Sequence, residues 1–133
     1  MSAERYRHIR GSVSTINCHF VWCPKYRRKV LTGAVAERLK ELLYEKAAEL
    51  YCTIKALDVL PDPLHLFVDC PPIYAPQQLA NQFKGYTSRV LRDEFPHLRS
   101  RLPSLWSRSY YVGSAGHVST ETIQHYIEQQ KRS

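Results

Sequence analysis

At 133 residues and 44% hydrophobic, the chain is long enough for one compact domain with a core and too short for two ordinary ones. Its 19 Lys and Arg against 12 Asp and Glu give a formal charge of +7 and a pI near 9.4, which points to a polyanionic partner, nucleic acid first, although charge alone leaves a merely basic soluble protein equally open. No apolar run approaches the roughly 20 residues of a membrane span, and the polar start Met1-Ser2-Ala3-Glu4-Arg5-Tyr6-Arg7 is unlike a signal sequence, so no membrane partner and a cytoplasmic location are expected.

Val13 to Trp22 is rich in β-branched and aromatic residues and stops at Pro24, which predicts a strand followed by a basic loop. From Ala34 to Leu50, Val35, Leu39, Leu42, Leu43 and Ala47 recur at helical spacing. Thr53 to Leu60 and Leu64 to Cys70 read as two strands joined by a tight hairpin at Pro61-Asp62-Pro63. Pro71-Pro72 ends the second of these, and Pro76 opens a helix with an apolar stripe of Leu79, Phe83, Tyr86, Val90 and Leu91. Pro96 and Pro103 bracket a basic turn, Leu105 to Val112 is an aromatic strand, and Ser119 or Thr120 caps a last helix running to about Lys131. Cys18, Cys23, Cys52 and Cys70 show no C-x-x-C pairing and read as reduced, buried thiols.

The resulting order predicts an α+β fold: a ferredoxin-like antiparallel sheet with two helices on one face, plus a C-terminal helix that carries Tyr126. We expect one domain over 1–133, with its core at about 13–131. Fold alone assigns no function, since this scaffold serves RNA-binding, metal-binding and catalytic proteins alike.

Strand alternation puts residues 63 and 65 on one face, and two histidines so spaced would chelate one ion; here Pro63 leaves only His65. On the last helix, Tyr126 and Gln130 stand one turn apart on the same side. A tyrosine attacking a phosphodiester conserves the bond as a phosphotyrosine, but a phenol with a pKa of about 10 needs help. Taken alone, Tyr126 would be read as a packing residue beside Ile123 and Ile127. In the basic loop Lys25, Arg27, Arg28 and Lys29 surround Tyr26, a phosphate clamp with a stacking platform for an unpaired base. Lys84, Ser88 and Arg89 on the second helix extend that surface, with Arg92 beyond them, whereas Arg99, Arg101 and Arg108 are weaker candidates. His8, His19, His97, His117 and His125 have no spacing that marks a metal cluster.

Phe20-Val21-Trp22-Cys23-Pro24-Lys25-Tyr26-Arg27-Arg28, Val59-Leu60-Pro61-Asp62, His65-Leu66-Phe67-Val68, Phe83-Lys84-Gly85 and Tyr126-Ile127-Glu128 occur in the order typical of one family. Over roughly Cys18 to Gln130 the chain resembles the single-tyrosine HUH transposases of small insertion sequences, often called TnpA. The resemblance implies a homodimer that binds subterminal hairpins of single-stranded DNA and cuts and rejoins strands through a 5′-phosphotyrosine, using Mg²⁺ or Mn²⁺. It makes Tyr126 the nucleophile and His65 and Gln130 metal ligands, with the tyrosine helix able to serve the partner subunit's site.

The family has histidine where this chain has Pro63. Asp62 is a possible substitute oxygen ligand, although alternation points it away from His65 unless Pro63 bends the chain. The expectation is weakened metal binding and cleavage, with DNA binding and dimerisation less affected. The alternatives are a catalytically inactive hairpin-binding or single-strand-binding relative, and an RNA-binding domain of the same strand order, which lacks the aromatic and basic sheet motifs of RNA-recognition modules.

Overall fold

In the computed structural model, which describes residues 15–114, the elements follow the order β1 (Ile16–Pro24), α1 (Gly33–Glu49), β2 (Thr53–Val59), β3 (Leu64–Cys70), α2 (Pro76–Glu94), α3 (Pro96–Arg101) and β4 (Trp106–Ser114). The expected helix from Ser119 or Thr120 to Lys131, with Tyr126 and Gln130, lies outside the described residues, as does Val13 at the start of the first expected strand. The four strands form one antiparallel sheet in the order β2-β3-β1-β4. This is the ferredoxin-like arrangement, in which each βαβ half contributes one central and one edge strand.

Alternation along the two central strands decides what each face does. Cys18, Phe20 and Trp22 of β1 and Leu64, Leu66, Val68 and Cys70 of β3 join Leu39, Leu42 and Leu43 of α1 and Leu79, Phe83 and Leu91 of α2 in one core. A bulge in β2 between Ile54 and Ala56 shifts its phase against β3, so Leu57 and Val59 also pack on the core while Asp58 stands opposite His65 on the other face. That second face carries His19, His65, Phe67 and Tyr111.

The helices begin and end for local reasons. Pro76 occupies the first turn of α2, and the Gln78 side-chain oxygen accepts a hydrogen bond from the Ala75 N–H at 2.8 Å, satisfying a donor that the helix cannot. At the end of α1 the Cys52 N–H bonds to the Ala47 carbonyl and the Tyr51 N–H to the Ala48 carbonyl, with Tyr51 at φ 57°, a Schellman closure built on a non-glycine residue. Arg38 of α1 grips Glu94 of α2 with two N–H donors at 2.9 and 3.1 Å.

Two expectations change. The proline-bracketed basic turn is the short helix α3, because Pro96 is tolerated at a helix start and Leu98 is buried in the core. The stripe of α2 also takes in Ala80 and Thr87 beside Leu79, Phe83 and Leu91, while Tyr86 and Val90 pack partly buried at its margin, where the Tyr86 hydroxyl donates to Glu45 at 2.9 Å. Thr87 enters the core because both ends of its hydroxyl are used: it donates to the Phe83 carbonyl at 2.7 Å and accepts from the Trp106 indole N–H at 3.0 Å. All four cysteines are free, and the buried thiols of Cys52 and Cys70 touch at 3.0 Å. No described helix is long and apolar enough to cross a membrane.

Candidate functional site

The loop after β1 is held at its start by the Lys25 N–H, which donates to the Leu105 carbonyl at 2.8 Å just before β4. It then makes a short 3₁₀ turn, Lys25–Arg27, in which Tyr26 and Arg27 both adopt the left-handed conformation, at φ 59° and 52°. Each such non-glycine residue costs on the order of 1 kcal/mol. The strain turns the side chains outward: Tyr26 is 66% exposed and Arg27, Arg28 and Lys29 are exposed beside it. The Lys25 ammonium lies 5.5 Å from the centre of the Tyr26 ring.

Tyr26 and Arg27 form one wall of a cavity of about 500 Å³ whose other walls come from Val21, Cys23 and Pro24 on β1 and Ser107, Tyr110 and Tyr111 on β4. Exposed cations, an exposed aromatic ring and an open apolar floor are what an unpaired nucleotide requires. Of the other residues expected to contact DNA, Ser88 is half-buried and Arg89 is exposed, its guanidinium 5.6 Å from the Tyr86 ring centre. Lys84 turns inward: its ammonium donates to the Ser107 carbonyl at 2.8 Å and lies over the Tyr110 ring, and burial holds its pKa below the usual lysine value. It ties α2 to β4 beneath the cavity.

His65 sits in β3 between two neighbours, with Val21 of β1 on one side and Asp58 of β2 on the other. It is 5% exposed. His19, two residues before Val21, comes diagonally across from it, and its Nε2 lies 3.2 Å from Nδ1 of His65. Linear spacing gave no sign of this pair; only the β1–β3 register, which no sequence signal in β1 alone specifies, brings residues 46 apart into contact. His19 is clamped from both sides. It stacks on Phe67 with ring centres 3.9 Å apart and planes 9° from parallel, and Tyr111 meets it edge-on.

Tyr111 has room for this pose because it lies across Gly113, where any β-carbon would collide with the phenol oxygen. Burial, with the neighbouring His65 adding to it, pushes the pKa of His19 down to about 4. His65 is also lowered by burial, with the Asp58 charge working against the shift. Both rings are therefore neutral near pH 7, the state in which an imidazole offers a lone pair.

Pro63 precedes β3, and its carbonyl accepts from the Leu60 N–H at 3.0 Å in the hairpin. The carboxylate of Asp62 is engaged by Arg27 at 3.2 Å, so the hairpin is pinned to the basic loop. Among the described residues no group of three His, Cys, Asp or Glu side chains is placed to hold a metal ion.

Residues 12–130 match the family model described as transposase, IS200 like. The chain belongs to the IS200-like transposase family. It is 34% identical over 123 residues to the ISDra2 transposase TnpA of Deinococcus radiodurans, a match that covers 91% of this chain and 88% of that relative. A crystal structure of a transposase candidate from Deinococcus radiodurans R1 superposes with a TM-score of 0.73 at 34% identity, covering 90% of this chain and 94% of the other. The REP-associated tyrosine transposase bound to a REP hairpin shares the fold, with a TM-score of 0.55 at 16% identity over 84% of this chain and 62% of its own. Membership of a transposase family assigns this chain to DNA cleavage and strand transfer as a class of activity. The basic loop and the imidazole pair are thus features of an IS200-like transposase.

Proposed function

We propose that the chain is a single-domain, homodimeric transposase that binds hairpins in single-stranded DNA and cleaves and rejoins strands through a 5′-phosphotyrosine on Tyr126. The observation that supports this reading best is the open cavity walled by the exposed Tyr26 and Arg27, whose lining includes Val21, the β1 partner of His65. Lys25, Arg27, Arg28 and Lys29 hold the phosphates, Tyr26 stacks on a base, and Ser88 and Arg89 extend the track along α2. Lys84 shapes the cavity wall rather than contacting phosphate.

His65 would supply a neutral imidazole, across the strand pair from Asp58, and Gln130, which lies outside the described residues, would supply an amide oxygen; this donor chemistry suits Mg²⁺ or Mn²⁺. Asp62 is spent on Arg27 and is a poor replacement for the imidazole absent at Pro63. When bound, the ion polarises the scissile phosphate and offsets its developing charge. The phenol oxygen of Tyr126 attacks phosphorus, the bond to the 3′-oxygen breaks, and that oxygen leaves as a 3′-hydroxyl with the proton; rejoining is the reverse.

Pro63 favours a second reading, a hairpin-binding relative that no longer cleaves. Incubating the full chain with Mn²⁺ and single-stranded DNA from the ends of its own element, then running denaturing gels, separates the two. We expect a covalent adduct that Tyr126→Phe abolishes and Pro63→His increases at least 10-fold, since restoring a ligand should exceed the roughly 10- to 100-fold typical of an outer-shell partner. An adduct seen only with Pro63→His establishes the hairpin-binding reading, and no adduct in any variant removes the nuclease.

A further inference from the structure

The contact between His19 and His65 has a geometry that two ligands of one ion would not share. Their ring centres are 5.5 Å apart and their planes 21° from parallel, while the facing nitrogens are 3.2 Å apart. The first separation exceeds the second by about the two ring radii together, so both nitrogens lie near the line joining the ring centres. Their lone-pair directions therefore oppose each other instead of converging. An ion midway along that line would be far inside the ~2.0–2.1 Å of a metal–imidazole bond. The contact is an N–H···N hydrogen bond between two imidazoles, one donating and one accepting.

We infer that His19 is a positioning residue for the metal centre: its Nε2 accepts the proton on Nδ1 of His65, which fixes the tautomer of His65 whose Nε2 lone pair is available to the ion. The inference rests on the reading of His65 as a metal ligand, because the opposite polarity would put a proton on Nε2 of His65 and close it to any ion. Metal-bound histidines commonly have their second nitrogen held in this way, most often by a carboxylate or a carbonyl. Here the acceptor is another imidazole, kept in place by the Phe67 stack and by the Tyr111 ring lying over Gly113. Pro63 offers no second imidazole on the strand of His65, and the imidazole that does face His65 comes from β1.

Two variants separate positioning from packing. His19→Phe keeps an aromatic ring against Phe67 and deletes the acceptor, whereas His19→Gln supplies an amide oxygen that can accept the same proton. The full chain is titrated with Mn²⁺ alone, without DNA, by electron paramagnetic resonance, and the metal-free protein is examined by long-range ¹H–¹⁵N correlation of the His65 ring. The expected results are an Nδ1–H tautomer at His65 in the unaltered chain, a shift toward Nε2–H in His19→Phe, and Mn²⁺ affinity weakened roughly 10- to 100-fold by Phe and largely recovered by Gln. An Nε2–H tautomer in the unaltered chain, or equal affinity in His19→Phe, overturns the inference, and a Tyr126 adduct formed all the same leaves the transposase reading standing. An unaltered chain that binds no Mn²⁺ and forms no adduct overturns both.

Discussion

At the scale of single residues, the two buried imidazoles make stability depend on pH. The pKa of His19 falls from 6.5 to about 4 on folding, so between those values the unfolded chain binds the proton that the folded chain refuses. Stability is therefore complete above about pH 6.5 and is lost as the pH drops toward 4, with about 3 kcal/mol at stake for His19. His65, lowered in the same direction, adds to the loss. Urea denaturation should show a lower midpoint at pH 5 than at pH 7.5, and His19→Phe should flatten that dependence. A slope that His19→Phe leaves unaltered would assign the acid sensitivity to other groups.

Within elements, the sharpest conflict between local preference and observed conformation is the turn after β1. Tyr26 and Arg27 hold left-handed backbone that glycine would accept without cost. Since Tyr26 is 66% exposed, Tyr26→Gly gives up little packing; we expect a gain of about 0.5–1 kcal/mol in stability together with a loss of about 1–3 kcal/mol in single-strand affinity. Thermal unfolding and fluorescence anisotropy with a labelled oligonucleotide read the two effects separately, and a variant that binds as well as the original would show that the ring is no stacking platform. The Thr87 hydroxyl joins α2 to β4 in a different way. Thr87→Val preserves its shape but strands the buried Trp106 N–H, which should cost about 1–3 kcal/mol in a urea titration.

For the whole molecule, the charge of +7 acts through the cations placed beside the cavity. If Lys25, Arg27, Arg28 and Lys29 each displace one counterion, a log–log plot of single-strand affinity against salt should have a slope near −3, at about −0.7 per contact. Arg28→Ala should lower that slope by about 0.7 without altering preference among sequences. Cohesion has another source, the core on the far side of the sheet, where Leu66 is fully buried. Leu66→Ala should destabilise the fold by about 2–5 kcal/mol, because the surrounding core closes only partly around the cavity left behind.

The sequence by itself determined the elements, because hydrophobic period and proline placement are local signals: α2 starts at Pro76 and β2 and β3 flank Pro61-Asp62-Pro63 as their patterns require. It also determined the outward-facing basic loop, whose five residues are consecutive. Short-range pattern could not place Thr87 within the stripe, since that depends on Trp106 arriving from β4 with a hydrogen-bond donor. Nor could it show that Lys84 faces the Ser107 carbonyl or that Asp62 is taken by Arg27. The pairing of His19 with His65 lay furthest from view. A sheet converts separation along the chain into adjacency through register, and register is a property of two strands at once, so only the tertiary structure decided that one of the histidines without a motif stands against the one histidine that has one.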